Sequence, residues 1–181
     1  MNKTTKGYRL KWFVPLILFI SLIIDASLPS VFPSAFLENQ QIISSHLMLY
    51  FVVSFAFYFR DSNIQLYAFI FGLIYDSYNT TIIGYNAVMY VIVAYIVLKI
   101  KKYFPKKAYI HYMLFIICIS LLDTFTYLFY LEINIARVTM LDFLVMRLTP
   151  TLIFNTVLAF FIYFPAKQLM RWLGYNEYII I

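Results

Sequence analysis

The chain has 181 residues, 64% of them hydrophobic and only 12% charged, with a mean hydropathy of +0.82. Soluble domains carry roughly 45–50% apolar and about 25% charged residues, so water is excluded as the solvent for most of this surface. No polar stretch is long enough for a separate soluble domain, which usually takes about 50 residues or more, and function is therefore expected in or at the bilayer.

The predicted fold class is all-α: a polytopic membrane protein, a bundle of six transmembrane helices forming one integral membrane domain over residues 1–181. A helix crossing the hydrocarbon core needs about 20 apolar residues. In chain order the candidate spans are residues 12–31, 42–59, 64–78, 82–98, 109–131 and 140–164.

The first span follows a basic start, Lys3, Lys6, Arg9 and Lys11, as a secretory signal does. The stretch beyond it, Asp25-Ala26-Ser27-Leu28-Pro29, offers no small-x-small cleavage site, so an uncleaved signal anchor is expected. Residues 29–41, with Pro29, Pro33 and the single acidic Glu38, read as an irregular extracytoplasmic loop.

The third segment is short, because about 15 residues at ~1.5 Å each reach only about 22 Å. Charge argues that it crosses nonetheless. Lys and Arg in short loops accumulate on the cytoplasmic side, and six spans with the N-terminus inside place the N-terminal cluster, Arg60, the five lysines of 99–107, Lys167 and Arg171 all inside. Only Arg137, outside, and Arg147, within the last span, remain of the 14 basic residues. If the third segment did not cross, the lysine-rich loop would face away from the basic N-terminus. Both termini are therefore expected in the cytoplasm, with the end of the last helix, residues 165–175, pinned at the interface by Trp172, Lys167 and Arg171. The net charge of +6 belongs to this pattern of topology signals facing an anionic membrane surface, and not to nucleic-acid binding.

Ionisable residues at membrane depth cost roughly 2.5–3.5 kcal/mol each on insertion scales, so they usually face a bundle interior or a cavity. The candidates are Asp25, Asp76, Asp123, Asp142 and Arg147. Asp25, Asp76 and Asp142 lie near the outer ends of their spans, within reach of water. Asp123 is deepest, on one helical face with Ser120 and Thr126, and it either pairs with Arg147, the only cation within a span, or stays protonated. In the last span Arg147, Thr151 and Asn155 recur every four residues as one polar stripe. Pro150 falls inside it, and the carbonyl it frees needs a polar neighbour, so the stripe is expected to face protein.

The densest signal lies in the third and fourth spans. Gly72 and Asp76 are one turn apart, so the glycine lets another helix approach beside the carboxyl group. The pair is either a cavity-lining broken segment of the kind seen in transporters or a tight hairpin whose polar residues cap helix ends. Gly72, Asp76, Gly84 and Asn86 are expected to shape a cleft or hairpin near the extracytoplasmic face, with Asp123, Arg147, Pro150 and Asn155 beside it.

Other chemistry is missing from the sequence. His46 and His111 stand alone in different segments, each read as a satisfied interfacial residue, so no metal site is proposed. Cys118 sits in an apolar run and reads as core. There is no Gly-rich phosphate loop, no Gly-x-Ser-x-Gly elbow and no Asp-rich cytoplasmic loop, so neither a cofactor nor catalysis is expected. The 17 tyrosines and 19 phenylalanines read as interfacial belts and lipid-facing surface.

The stretch Phe71-Gly72-Leu73-Ile74-Tyr75-Asp76, followed by Gly84-Tyr85-Asn86-Ala87, resembles the glycine-x-x-x-aspartate … glycine-x-asparagine pattern of the MreD family, multi-spanning rod-shape-determining membrane proteins of bacteria. The run Leu148-Thr149-Pro150-Thr151-Leu152-Ile153-Phe154-Asn155 is similar to that family's C-terminal leucine-x-proline … asparagine segment. The resemblance implies a non-enzymatic, multi-pass subunit of the cell-elongation machinery in the bacterial cell membrane. It would bind the single-pass protein MreC and through it influence the peptidoglycan polymerase and its penicillin-binding partner, and so peptidoglycan synthesis and cell shape. The family is also similar in fold to the substrate-binding subunits of energy-coupling-factor transporters, which makes a vitamin-type uptake subunit the alternative. Those subunits carry an alanine-x-x-x-alanine docking patch on the first span; here Leu22 and Ala26, or Ser21 and Asp25, stand at that spacing, which argues against it.

Overall fold

A computed structural model describes residues 3–36, 41–59, 63–79 and 82–175. Among these every regular element is a helix, with no strand: α1 (Lys3–Val31), α2 (Pro33–Phe36), α3 (Leu47–Tyr58), α4 (Ile64–Asn79), α5 (Tyr85–Ile100), α6 (Ala108–Glu132), α7 (Met140–Phe143) and α8 (Thr149–Trp172). A π-helical turn, Leu144–Leu148, joins α7 to α8, so the last element is one rod, Met140–Trp172. Three helices are long and apolar enough to cross a membrane, Leu10–Val31, Ala108–Glu132 and Met140–Trp172, while Leu47–Tyr58 and Tyr85–Ile100 are shorter apolar helices.

The centre of the bundle is α3. Every residue from Leu47 to Phe57 except Phe51 is buried, as expected of a helix apolar all round, and α1, α4, α5, α6 and α8 all pack against it. The outer helices present the opposite pattern, with large side chains such as Leu66, Ile153 and Phe161 exposed, a surface suited to lipid.

Several expected boundaries shift. The second segment is helical only over Leu47–Tyr58, and residues 41–46 run into it without helical structure. Twelve residues at ~1.5 Å each rise only about 18 Å, well short of a ~30 Å hydrocarbon core. The supposed loop after the first span is largely helical: α1 continues through Pro29 to Val31 and α2 follows, whereas Glu38 lies outside the described residues. The last helix runs through Pro165 to Trp172 instead of stopping near residue 164.

Two prolines inside the long helices, Pro15 and Pro150, have their missing bonds replaced. Pro15 leaves the carbonyl of Lys11 without its helical donor, and the Tyr67 hydroxyl donates to that oxygen at 3.3 Å. Pro150 does the same to Met146, whose carbonyl accepts the Ile42 N–H at 2.8 Å. The second bond ties the last helix to the non-helical stretch before α3, and so links the fold to its polar interior.

Candidate functional site

The α4–α5 hairpin is built around Gly72 and Asp76. A Cβ placed on Gly72 would lie 2.4 Å from the Ala87 Cα, so the two backbones touch where only glycine fits. One turn further along α4, the fully buried Asp76 carboxyl group meets the start of α5. Its Oδ2 accepts the N–H groups of Gly84 at 2.9 Å and Ala87 at 3.2 Å, and its Oδ1 accepts the Asn86 side-chain amide at 2.7 Å. Gly84 precedes α5 with a φ of 95°, a left-handed conformation that glycine adopts without strain. The first amides of a helix lack internal acceptors and carry the positive end of its dipole; here a carboxyl group from the neighbouring helix supplies the cap.

A second carboxyl group does the same for α3. Asp25, 4% exposed near the end of α1, accepts the Leu47 N–H at 2.9 Å and the Met48 N–H at 2.7 Å, as well as the Ser45 hydroxyl. At the other end of α3, Lys101 Nζ donates to the carbonyls of Ala56 and Phe59, both at 2.7 Å. The central helix thus has an acid at its positive end and a cation at its negative end, both from other elements. The backbone of residues 42–46 is satisfied largely by the last helix. Ser44 N–H donates to Thr151 Oγ1 at 3.2 Å, His46 N–H donates to Asn155 Oδ1 at 2.8 Å, and Asn155 Nδ2 donates to the Ser44 carbonyl at 2.7 Å. Non-helical backbone is tolerated at membrane depth where protein surrounds it, and Thr151 and Asn155, both 0% exposed, provide that surrounding.

Between these two capped corners lies a cavity of about 620 Å³, within the ~300–1,000 Å³ range of small-molecule sites. It sits where α1 ends and α5 begins, at the end of the bundle away from the lysine-rich turn between α5 and α6. Asn86, Asp123 and Arg147 line it, together with Asp25, His46, Tyr75, Tyr90, Thr126 and Asp142. Gly72, Asp76, Gly84, Pro150 and Asn155 are not among its lining residues; they brace the helices that form it.

A family model described as "rod shape-determining protein MreD" matches residues 6–173. The chain belongs to the MreD family. A rod shape-determining protein MreD of Bacillus subtilis (strain 168) is 17% identical over 157 residues, covering 87% of this chain and 91% of that protein. No solved structure matches. The MreD family comprises shape-determining membrane proteins and is not a known enzyme family, and the apolar helices agree with a membrane location.

With the MreD-family assignment in place, the polar residues divide by what they touch. In the α4–α5 pair, Gly72 gives the close helix contact, Asp76 and Gly84 form the cap, and Asn86 both joins the cap and faces the cavity. Asp25 and Asp76 are buried caps, and Asp25 also belongs to the cavity wall. Asp142 closes the first turn of its own helix, where its N–H donates to Thr139 Oγ1 at 3.2 Å and its Oδ2 accepts the Thr139 hydroxyl at 2.7 Å.

The expected Asp123–Arg147 pair does not form. Asp123 Oδ1 instead lies 3.3 Å from His46 Nε2, because the bonds of residues 42–46 to the last helix place His46 beside α6. Among the described residues Arg147 makes no ion pair. The four-residue polar stripe is likewise broken: the π turn ends at Leu148, so buried Thr151 and Asn155 hold the 42–46 backbone while half-buried Arg147 turns to the cavity. His111, 1% exposed in the first turn of α6, has its Nε2 2.8 Å from the Ser54 hydroxyl. Sequence reasoning missed Lys101, read only as a topology charge, and the role of Asp25; nothing local to either residue marks the helix end it caps.

Proposed function

We propose that this chain is a six-span, non-enzymatic subunit of the bacterial cell-elongation machinery that binds MreC and, through it, influences the peptidoglycan polymerase, its penicillin-binding partner and cell shape. The family match over residues 6–173 carries this reading. In it the N- and C-termini are cytoplasmic, and the cavity with its capped corners faces outward. Support for the orientation comes from the clustering of Trp12, Trp172 and the lysine-rich turn at one end of the bundle, where Phe13 packs edge-on against Trp172 at 4.7 Å and Lys106 Nζ lies 5.4 Å from the Tyr175 ring centre. Support for a scaffold role comes from Asp25, Asp76 and Lys101, whose polar groups go into holding helices together.

Asp76→Ala and Arg147→Ala, each assayed for cell-shape complementation and for co-purification with MreC, test the site. Loss of shape is expected for both, with loss of MreC from at least one, and wild-type behaviour in both assays would remove the assignment. A cysteine-accessibility scan tests the topology and is expected to protect residues 99–107 from external reagent.

The cavity favours one second reading, the substrate-binding subunit of a vitamin-type uptake transporter. Against it, Ser21 and Asp25, which stand at the docking-patch spacing, are buried at 1% and 4% exposure and face the protein interior. Co-purification with a pair of ATPases, or a vitamin bound in the purified protein, would reverse the ranking.

A further inference from the structure

Polar groups in the cavity wall are left without partners. His46 is 5% exposed and Asp123 is 2% exposed, yet among the described residues neither ring nitrogen of His46 makes a hydrogen bond and Asp123 Oδ2 has no partner. Arg147 has a buried Nε without a partner and no ion pair among the described residues. Buried polar groups are normally satisfied, and leaving one open is unfavourable. The contrast with Asp25 and Asp76, both of whose oxygens are occupied, marks the cavity as the place where hydrogen-bonding capacity is held in reserve.

We infer that the cavity binds a zwitterionic group, with its anionic oxygens on Arg147 and its ammonium on Asp123 Oδ2, next to His46. In the wall the buried Asp123 keeps one oxygen open beside His46, and half-buried Arg147 has no carboxylate partner among the described residues, so an anion alone leaves the Asp123 oxygen unused and an ammonium alone leaves Arg147 unpaired. Tyr75, Tyr90 and Tyr130 add aromatic surface, which suits an ammonium ion. The volume of about 620 Å³ admits such a group with room beyond it, and the site lies at a bundle end, where both lipid headgroups and solutes arrive. The shared chemistry is that of phosphoethanolamine, whether free or as a phospholipid headgroup. The inference does not rest on MreC binding and stands or falls separately from it.

The test uses the full-length protein in phosphatidylglycerol nanodiscs. Glycerophosphoethanolamine is added from solution in one arm, phosphatidylethanolamine is included in the bilayer in a second, and glycerophosphoglycerol, which lacks the ammonium, serves as the control. Native mass spectrometry and thermal unfolding read retention and Tm. An ethanolamine ligand should be retained and should raise Tm where the glycerol ligand does not. Retention of the lipid alone assigns the site to the bilayer, and retention of the soluble compound as well assigns it to the free zwitterion; either supports the inference. Arg147→Gln should weaken binding by about tenfold or more, as expected for loss of a charge-assisted hydrogen bond, and Asp123→Asn should abolish the preference for ethanolamine over glycerol. Equal wild-type responses to the two headgroups, or no response to either, overturn the inference even if a variant fails to fold. So does a response that both variants leave unchanged.

Discussion

Two corners of this protein solve one problem by different routes. In the α4–α5 hairpin, Asp76 caps the next helix through groups only 8 to 11 residues away. In the α1–α3 corner, Asp25 caps a helix through groups 20 to 23 residues away, and the non-helical approach to that helix is held by Thr151 and Asn155, 107 to 111 residues further on. Both place a carboxyl group against a helix N-terminus inside a membrane protein, where water is not available to do so. The local corner is a compact motif; the distant one is an assembly of three elements. The comparison shows why Asp25, Asp76, Thr151 and Asn155 are costly to replace: they satisfy backbone groups at helix ends and in the 42–46 stretch.

The largest expected effects are those of Asp25→Ala and Asp76→Ala, since each exposes two buried N–H groups and one side-chain donor, at about 1–3 kcal/mol per unsatisfied donor. Thermal unfolding in detergent should show both strongly destabilised, with Asp25→Ala the worse because α3 is packed by every long helix. A milder Asp25 variant would mean that α3 is held by packing and not by its cap. Next comes Gly72→Ala, expected to cost about 1–3 kcal/mol by overpacking, because the added Cβ would meet the Ala87 backbone at 2.4 Å; unfolding and expression yield read this directly.

Lys101→Gln removes the cation from the far end of α3 and should cost up to about 2 kcal/mol, measured by the same unfolding assay. Combined with Asp25→Ala, it tests whether the two ends of α3 act independently. The smallest effect is predicted for Gly84→Ala. Nothing lies within 4 Å of a Cβ there, and the penalty is only that of the φ of 95°, about 1–2 kcal/mol. If Gly84→Ala proved worse than Gly72→Ala, the hairpin would depend on its turn more than on close helix contact.

The same contrast explains what could be read in advance. The Gly72, Asp76, Gly84 and Asn86 group was visible because its partners follow within a short stretch of chain, and either of its two readings put these residues together. Asp123 and Arg147 were recognisable as costly residues, but their partners were not. Which carboxyl group meets which cation depends on His46 being carried between α6 and α8 by bonds to Met146 and Asn155. Within residues 42–59 the break falls at Ser44-Ser45-His46, three polar residues in a row, but a count of segment length passes over them, and nothing local says that the last helix satisfies their backbone. Pro150 announced a carbonyl in need of a donor, but not that Ile42 would supply it.

By itself the sequence determined the solvent, the helical class and the family resemblance, since these follow from composition, segment length and residue order. Only the tertiary structure decided that residues 41–46 leave the helix, that Asp25 and Lys101 cap the two ends of α3, and that Arg147 faces a cavity with no carboxylate partner among the described residues. The physical reason is range. Transfer of apolar side chains out of water is summed along the chain and can be read there, whereas a buried hydrogen bond is settled only by which atoms the folded helices bring within about 3 Å of one another.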